Sequence, residues 1–304
     1  MNVQNFIDTL NLEDIKPSLI SPIIASPSSF YRQFKLQKKR GGFREINAPY
    51  PFLDFIQKKI YHFLDERFAP HEAVFAYTHG KNAILHAEKH VKSDVLLVLD
   101  ISDFFGNITN SKIFNSLINM GINASTASVI TSLCCLNNRI PQGSSTSPIL
   151  SNIIFHSIDN RLNALALKFN LIYSRYADDL AFSGNHIPKN FKKYVCGILS
   201  ENGFSINKDK TKIKMKNSKK ILTGVSITNG TMKCPRKFKR ELRKDIFILE
   251  KNINDLSAIT PLDPLIYERI LGKINYLLQI EPNNGFFQNK KLEISRHHLK
   301  FLGR

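Results

Sequence analysis

Two adjacent carboxylates at the tip of an apolar hairpin constrain this chain more than any other feature. The stretch Leu171 to Ser183, LIYSRYADDLAFS, places two short apolar runs, Leu171-Ile172-Tyr173 and Leu180-Ala181-Phe182, around Tyr176-Ala177-Asp178-Asp179. Aromatic and branched residues on either side of a short polar tip predict two strands and a tight turn. Asp178 and Asp179 repel each other and gain nothing from packing. Something must offset that repulsion, and a divalent metal ion is the usual partner. An exposed Asp-Asp turn is the ordinary alternative, and the dipeptide alone favours it; the rest of the chain shifts the balance.

A second stretch, Asp94 to Phe105, reads DVLLVLDISDFF. Its continuous apolar run, Val95 to Leu99, predicts a strand buried on both faces. Asp100 ends that run, where a carboxylate is costly unless paired or bound to metal; a helix N-cap is the plain alternative. Asp103 and Phe104-Phe105 follow. A third stretch, Arg139 to Asn152, reads RIPQGSSTSPILSN. Ser147-Pro148 predicts a helix start, with Ser as cap and Pro in first position. Ile149, Leu150, Ile153, Ile154, Ile158, Leu162 and Leu165 then line one face. The small-residue loop Pro141 to Thr146 before it can take a phosphate or let a base pair come close, or serve as an ordinary polar turn.

The remaining segments frame these three. Residues 1–30 read as helix and then loop, broken by Pro17, Pro22 and Pro27. Phe30 to Pro49 predicts a hairpin turning at Gly41-Gly42, crowded by Lys38, Lys39, Arg40 and Arg44. That cluster is either a solvated basic tip or a clamp on phosphates. Phe52 to Phe68 is an amphipathic helix. In Gly80 to His86, Asn82, Ala83 and His86 fit the first turns of a helix, with His86 packed and hydrogen-bonded. Residues 111–135 form a helical segment, Lys189 to Leu199 a helix, and Gly203 to Asn207 opens a strand. Lys208, Lys210, Lys212, Lys214 and Lys216 alternate along it, which turns one face to water or to a phosphate backbone. Leu222 to Ile227 reads as a further strand closing at Asn229-Gly230. From Cys234 the chain is helical and basic, opening with Pro235-Arg236-Lys237-Phe238-Lys239-Arg240 and continuing at Ile266 to Leu278 and Leu292 to Leu302. The change near residue 230 marks a subdomain boundary.

Charge names the partner class. The chain has 43 Lys and Arg against 25 Asp and Glu, a net charge of +18, which predicts a polyanion and most simply a nucleic acid. Cys134, Cys135, Cys196 and Cys234 form no C-x-x-C pair, which argues against zinc and for reduced thiols in a cytoplasmic setting. The first residues have no signal-peptide pattern, and no apolar run reaches membrane-spanning length. A carboxylate ending a buried strand, a carboxylate pair on a hairpin tip and a Pro-Gln-Gly loop before a helix predict an oxygen-rich pocket for two magnesium ions. One ion would activate a 3′-hydroxyl and the other stabilise a leaving pyrophosphate.

In this ordered set the sequence resembles the reverse transcriptases over nearly its full length. Asp100 to Phe105 looks like their first metal-binding motif, Pro141-Gln142-Gly143 their second, and Tyr176-Ala177-Asp178-Asp179 their signature hairpin. Within that family it looks most like a bacterial retron enzyme. Asn82-Ala83-Ile84-Leu85-His86 matches the N-A-x-x-H element, and Leu222-Thr223-Gly224 resembles V-T-G with Leu in place of Val. Nothing suggests an RNase H domain or an added His/Cys nuclease domain.

The resemblance implies an α+β, right-handed fingers-palm-thumb polymerase with an antiparallel palm sheet and a helical thumb. Fingers would span 1–90, with 141–165 contributing; the palm would span 91–230 and the basic thumb 231–304. Asp100, Ile101, Asp178 and Asp179 would hold two Mg2+ ions. Arg44, Lys38 and Lys39 would contact the triphosphate of a dNTP, Gln142 would line the nucleotide pocket, and Phe105 would sit under the sugar and reject a 2′-hydroxyl. Lys210 would donate a proton to pyrophosphate. Leu222, Thr223 and Gly224, with Arg236, Lys237, Lys239 and Arg240, would contact primer and template. Retron enzymes copy part of their own structured non-coding RNA into single-stranded DNA that stays joined to RNA, commonly in phage defence with an effector protein. The alternatives are a free-standing group II-like or diversity-generating reverse transcriptase, and a non-catalytic RNA-binding or antitoxin scaffold that keeps the fold.

Overall fold

The computed structural model describes residues 2–38, 41–254, 263 and 265–301 of the chain. In chain order, helices α1 (Val3–Thr9) and α2 (Pro17–Ala25) lead into strands β1 (Tyr31–Gln37) and β2 (Phe43–Pro49). Helices α3 (Pro51–Asp65) and α4 (Ala83–Glu88) precede strand β3 (Val95–Ile101). Helices α5 (Asn110–Asn119), α6 (Ala124–Cys134) and α7 (Ser147–Lys168) follow, then strands β4 (Ile172–Tyr176) and β5 (Asp179–Gly184). Helix α8 (Phe191–Glu201), strand β6 (Ile206–Lys214) and the short pair β7 (Ile221–Leu222) and β8 (Val225–Ser226) come next. Helices α9 (Arg236–Asn254), α10 (Ile266–Ile280) and α11 (Gly285–Phe301) close the chain.

Two compact units result. One comprises Met1–Gly80, Leu97–Phe182 and Ile187–Lys212; the other comprises Lys81–Leu96, Ser183–His186 and Ile213–Arg304. In the first, the four-stranded sheet has the order β4-β5-β3-β6. The N–H of Ile101 donates to the carbonyl of Asp178 at 2.9 Å, and the N–H of Ser102 to that of Ser205 at 2.8 Å. The C-terminal end of β3 therefore lies against the starts of both β5 and β6, and the strands run antiparallel. Val95, Leu96, Leu97 and Leu99 are buried and Val98 is half-buried, so both faces of the predicted apolar run are covered. Phe155 of α7 packs edge-on against Phe104 at 5.2 Å and Phe204 at 4.8 Å. Each such ring removed from water contributes about 2–3 kcal/mol.

Several local expectations change. Pro17 opens α2 rather than breaking it, and Pro22 lies inside that helix. The segment 111–135 is two helices, parted at Gly121 with φ 83° and restarted by Asn123, whose side chain accepts from the Thr126 N–H. α7 has Thr146, not Ser147, at its N-cap; the Ser147 hydroxyl donates instead to the Pro141 carbonyl at 2.7 Å and ties the loop to the helix. Residues 222–227 are not one strand. β7 and β8 pair antiparallel about Thr223 and Gly224, with φ 45° and 85°.

A buried ion pair anchors the Asp-Asp hairpin. Arg175 and Asp159 are both fully buried. Arg175 reaches the two Asp159 oxygens through Nε and a terminal nitrogen, each at 2.8 Å, and also donates to the Asn152 side chain at 3.1 Å and the Ala177 carbonyl at 3.2 Å. Tyr173 donates its hydroxyl to Asp159 at 2.7 Å. Ala177 sits at φ 55°, a strained turn that persists only where its neighbours hold it. Removing one member leaves an uncompensated buried charge. Asp159→Ala should therefore cost about 3–5 kcal/mol in urea unfolding. Replacing both residues with leucine should recover much of that loss. A single-variant cost below about 1 kcal/mol would deny the pair this role.

Candidate active site

The antiparallel register brings three carboxylates to one end of the sheet. Asp100 is the penultimate residue of β3, Asp178 lies in the β4–β5 turn, and Asp179 opens β5. Asp100 is no helix cap: Lys210 of β6 donates to both its oxygens, at 2.8 and 3.0 Å. Burial pushes the Asp179 carboxyl up to about 6, helped by repulsion first from Asp178 and then from Asp100. Asp178 is raised for the same reasons, opposed by its own backbone hydrogen bond and by the positive charges of Lys210 and Arg44. Among the described residues no cluster of three or more His, Cys, Asp or Glu is arranged to cage a metal by itself. The donor set nevertheless suits a hard divalent ion. It offers carboxylate oxygens whose repulsion a cation relieves, and an ammonium already stands in for one at Asp100.

The sequence-predicted nucleotide residues divide. Phe105 and Gln142 do meet, in a pocket of about 340 Å³ that also includes Asp103, Arg139, Glu45 and Asn47. A Cβ on Gly106 would meet the exposed Asp103 carboxylate, which would have to swing aside to admit it. The Gln142 carbonyl accepts from the Asn47 N–H at 2.7 Å. Gly143, at φ 115°, admits no Cβ because Ile46 and the Asn47 carbonyl would lie at 2.9 and 3.1 Å. The small residues of this loop thus let β2 approach, a use the sequence reading did not anticipate. Arg44 is exposed on β2 opposite Leu36 and acts on Asp178 by charge, but does not line this pocket. Lys38 closes the β1–β2 turn through backbone bonds to Gly42 and Gly41. Lys39 and Arg40 lie outside the described residues. Ile101 is buried, with its N–H held by Asp178.

The other predicted residues belong to the second unit. Arg236, Lys237, Lys239, Arg240 and Arg243 line one face of α9 around a depression of about 610 Å³. Lys239 is partly committed there, paired with Glu281 at 2.7 Å. Leu222 is buried, and Thr223-Gly224 form the β7–β8 turn. Asn82 caps α4 by accepting from the N–H groups of Ile84 and Leu85. His86 is fully buried and Ala83 accepts from the Thr223 hydroxyl. Sequence reasoning missed Arg175, Asp159 and Asn152. A cation inside an apolar strand and an acid on an apolar helix face were the available signals.

The fold and the carboxylate end of the sheet define a class. The family model described as reverse transcriptase (RNA-dependent DNA polymerase) matches residues 36–303, and the chain belongs to that family. It is an RNA-directed DNA polymerase with the α+β fold that the sequence implied. Its family works with divalent metal ions. Among curated proteins it is similar to the retron Ec86 reverse transcriptase of Escherichia coli, 28% identical over 295 residues, 93% of this chain and 91% of that one. It is also similar to the retron Ec83 reverse transcriptase of the same organism, 29% identical over 272 residues, 84% of this chain and 85% of that one. A telomerase from Candida albicans solved with a telomeric RNA fragment overlaps at TM-score 0.49 and 14% identity, covering 88% of this chain and 56% of that one. Among the described residues no helix is long and apolar enough to cross a membrane.

The raised carboxyl of Asp179 makes the cation-free protein sensitive to pH. The folded state keeps this proton up to about pH 6, whereas its ordinary value is 3.8. Stability is therefore greatest below about pH 4 for this group and declines as pH rises through about 6. In chelator at pH 7, Asp179→Asn should be more stable than the native chain by about 2 kcal/mol, allowing for partial exposure. The gain should vanish near pH 4. Equal melting temperatures at pH 7 would show that the repulsion is relieved some other way.

Proposed function

We propose that this chain is the polymerase of a retron, copying part of a cognate structured non-coding RNA into single-stranded DNA that remains joined to RNA. One observation carries the reading: Asp100, Asp178 and Asp179 share one end of an antiparallel sheet, with a lysine ammonium on the first. Asp100, Asp178 and Asp179, with Ile101 beside them, would hold two Mg2+ ions. Bound magnesium supplies charge neutralisation at the triphosphate and a lowered pKa at the attacking hydroxyl. Below about pH 6 the Asp179 carboxyl would have to give up its proton before it could hold a cation, which would couple metal occupancy to pH.

The remaining roles are those that the family resemblance implies for this chain's residues. Arg44, Lys38 and Lys39 orient the triphosphate, and Gln142 borders the base. Lys210, released from Asp100, gives a proton to the departing pyrophosphate. Phe105 bars a 2′-hydroxyl from the sugar position. Leu222, Thr223 and Gly224 meet the primer, and Arg236, Lys237, Lys239 and Arg240 take template phosphates. Residues 1–90 with 141–165 act as fingers, 91–230 as palm and 231–304 as thumb. The setting is the bacterial cytoplasm, in phage defence with an effector protein. Similarity to retron enzymes along most of their length and the elements at Asn82 to His86 and Leu222 to Gly224 support the subtype.

Purification from bacteria carrying the gene's own upstream DNA tests the whole reading. Bound nucleic acid should give a DNA band that shortens with RNase, is destroyed by DNase, and is absent from Asp178→Ala. RNA alone, from the native chain as from the variant, would favour the scaffold or another reverse-transcriptase subtype.

The sugar gate has its own test. Phe105→Ala should raise use of NTPs relative to dNTPs by about tenfold or more, since a steric bar worth at least about 1.4 kcal/mol is removed. An unchanged dNTP/NTP ratio would reject the gate.

A further inference from the structure

Two elements that play no part in the carboxylate site touch each other within the second unit. Thr223 stands at φ 45°, a left-handed conformation that a β-branched residue keeps only when its surroundings impose it. Its hydroxyl donates to the Ala83 carbonyl at 2.8 Å and lies 3.3 Å from His86 Nδ1. A hydroxyl has one hydrogen. With that hydrogen on Ala83, the oxygen accepts from His86, which sets the Nδ1–H tautomer. Burial pushes His86 down to about 3, so the ring is neutral at physiological pH.

The ring has little freedom. His90, one turn on, packs edge-on against it at 5.7 Å and is itself held by Ser183, whose hydroxyl lies 2.6 Å from His90 Nδ1 and 2.8 Å from that of Ser93. The base of the hairpin is fastened as well. The Ile227 N–H donates to the Lys220 carbonyl, the Lys220 N–H to the Thr228 hydroxyl, and the buried Lys220 ammonium to the Ser93 carbonyl. Tip and base of the β7–β8 hairpin are thus both fixed to the segment between Ala83 and Ser93.

We propose that His86 is a positioning residue for DNA synthesis: through Thr223 it locks the strained β7–β8 turn so that Leu222 to Gly224 offer a rigid surface to the 3′ end of the primer. The proposal rests on the reading that this hairpin meets the primer. A mobile turn would let the primer end wander and lower the rate of bond formation without lowering affinity for the template.

Single-nucleotide incorporation on an RNA template with a DNA primer tests it. Thr223→Val keeps shape and branching but loses the hydroxyl. It and His86→Ala should each lower kcat about tenfold while the Kd for template-primer moves less than about twofold. The double variant should be no worse than the poorer single, because both break one joint. Thr223→Ser should restore most of what Thr223→Val loses. If Thr223→Val does not fold, Thr223→Gly, which takes this turn freely, should show the same loss. Effects that multiply in the double variant, or a loss confined to Kd, would overturn the proposal.

A primer ending in 4-thiothymidine separates the two layers. Ultraviolet crosslinking to residues 221–226 of the native chain is expected. Its absence would remove the primer reading of the hairpin and the proposal with it. A crosslink that persists in both single variants with unchanged kcat would remove the joint alone.

Discussion

A guanidinium with no exposure to water lies behind the hairpin that carries two of the three carboxylates. Arg175 is held by both oxygens of Asp159 and reaches across to Asn152 and the Ala177 carbonyl. Buried ion pairs seldom add net stability over an apolar pair of the same volume. What this one adds is geometry. It links the middle of α7, the strand β4 and the strained turn before Asp178 into one unit. The aromatic layer of Phe155, Phe104 and Phe204 then packs around the fixed frame.

The sheet end that this frame supports is electrostatically unfavourable by itself. Asp179 is held above its ordinary range by burial and by two neighbouring carboxylates. Lys210 hydrogen-bonds Asp100 and reaches Asp178 and Asp179 through its field, as Arg44 does Asp178. Three acids this close weaken the cation-free fold and make it ready to take a cation. Stability given up at a site of this kind is what charge neutralisation of a phosphoryl transfer requires.

The second unit solves a different problem with the same economy of residues. Asn82 caps a short helix, Ala83 accepts a hydrogen bond, and His86 meets the residue that donates it. A six-residue helix has little stability alone. Here its N-terminal end is tied to its own cap, and Ala83 and His86 to the β7–β8 turn. Two motifs separated by well over a hundred positions become a single contact.

Much of the site could be read from residue order. The apolar run before Asp100, the apolar runs around Asp178-Asp179 and the helix after Pro148 each carry their own local signal, because period and turn chemistry act over a few residues. The hairpin at Gly41-Gly42 and the helical, basic C-terminal region are local in the same way. Other features needed the folded chain. Whether Ser147 caps a helix or ties a loop depended on where Pro141 came to lie. Whether Gly143 serves a ligand or a neighbouring strand depended on the approach of β2. That the turn at Thr223-Gly224 meets a histidine far back in the chain, and that Arg175 meets Asp159 where both are buried, are matters of where the chain returns. The sequence alone determined which groups carry charge and where the strongly patterned strands and helices lie, since those follow from near neighbours. Pairing of one charge with another is a property of distance in space, and only the tertiary structure decided it.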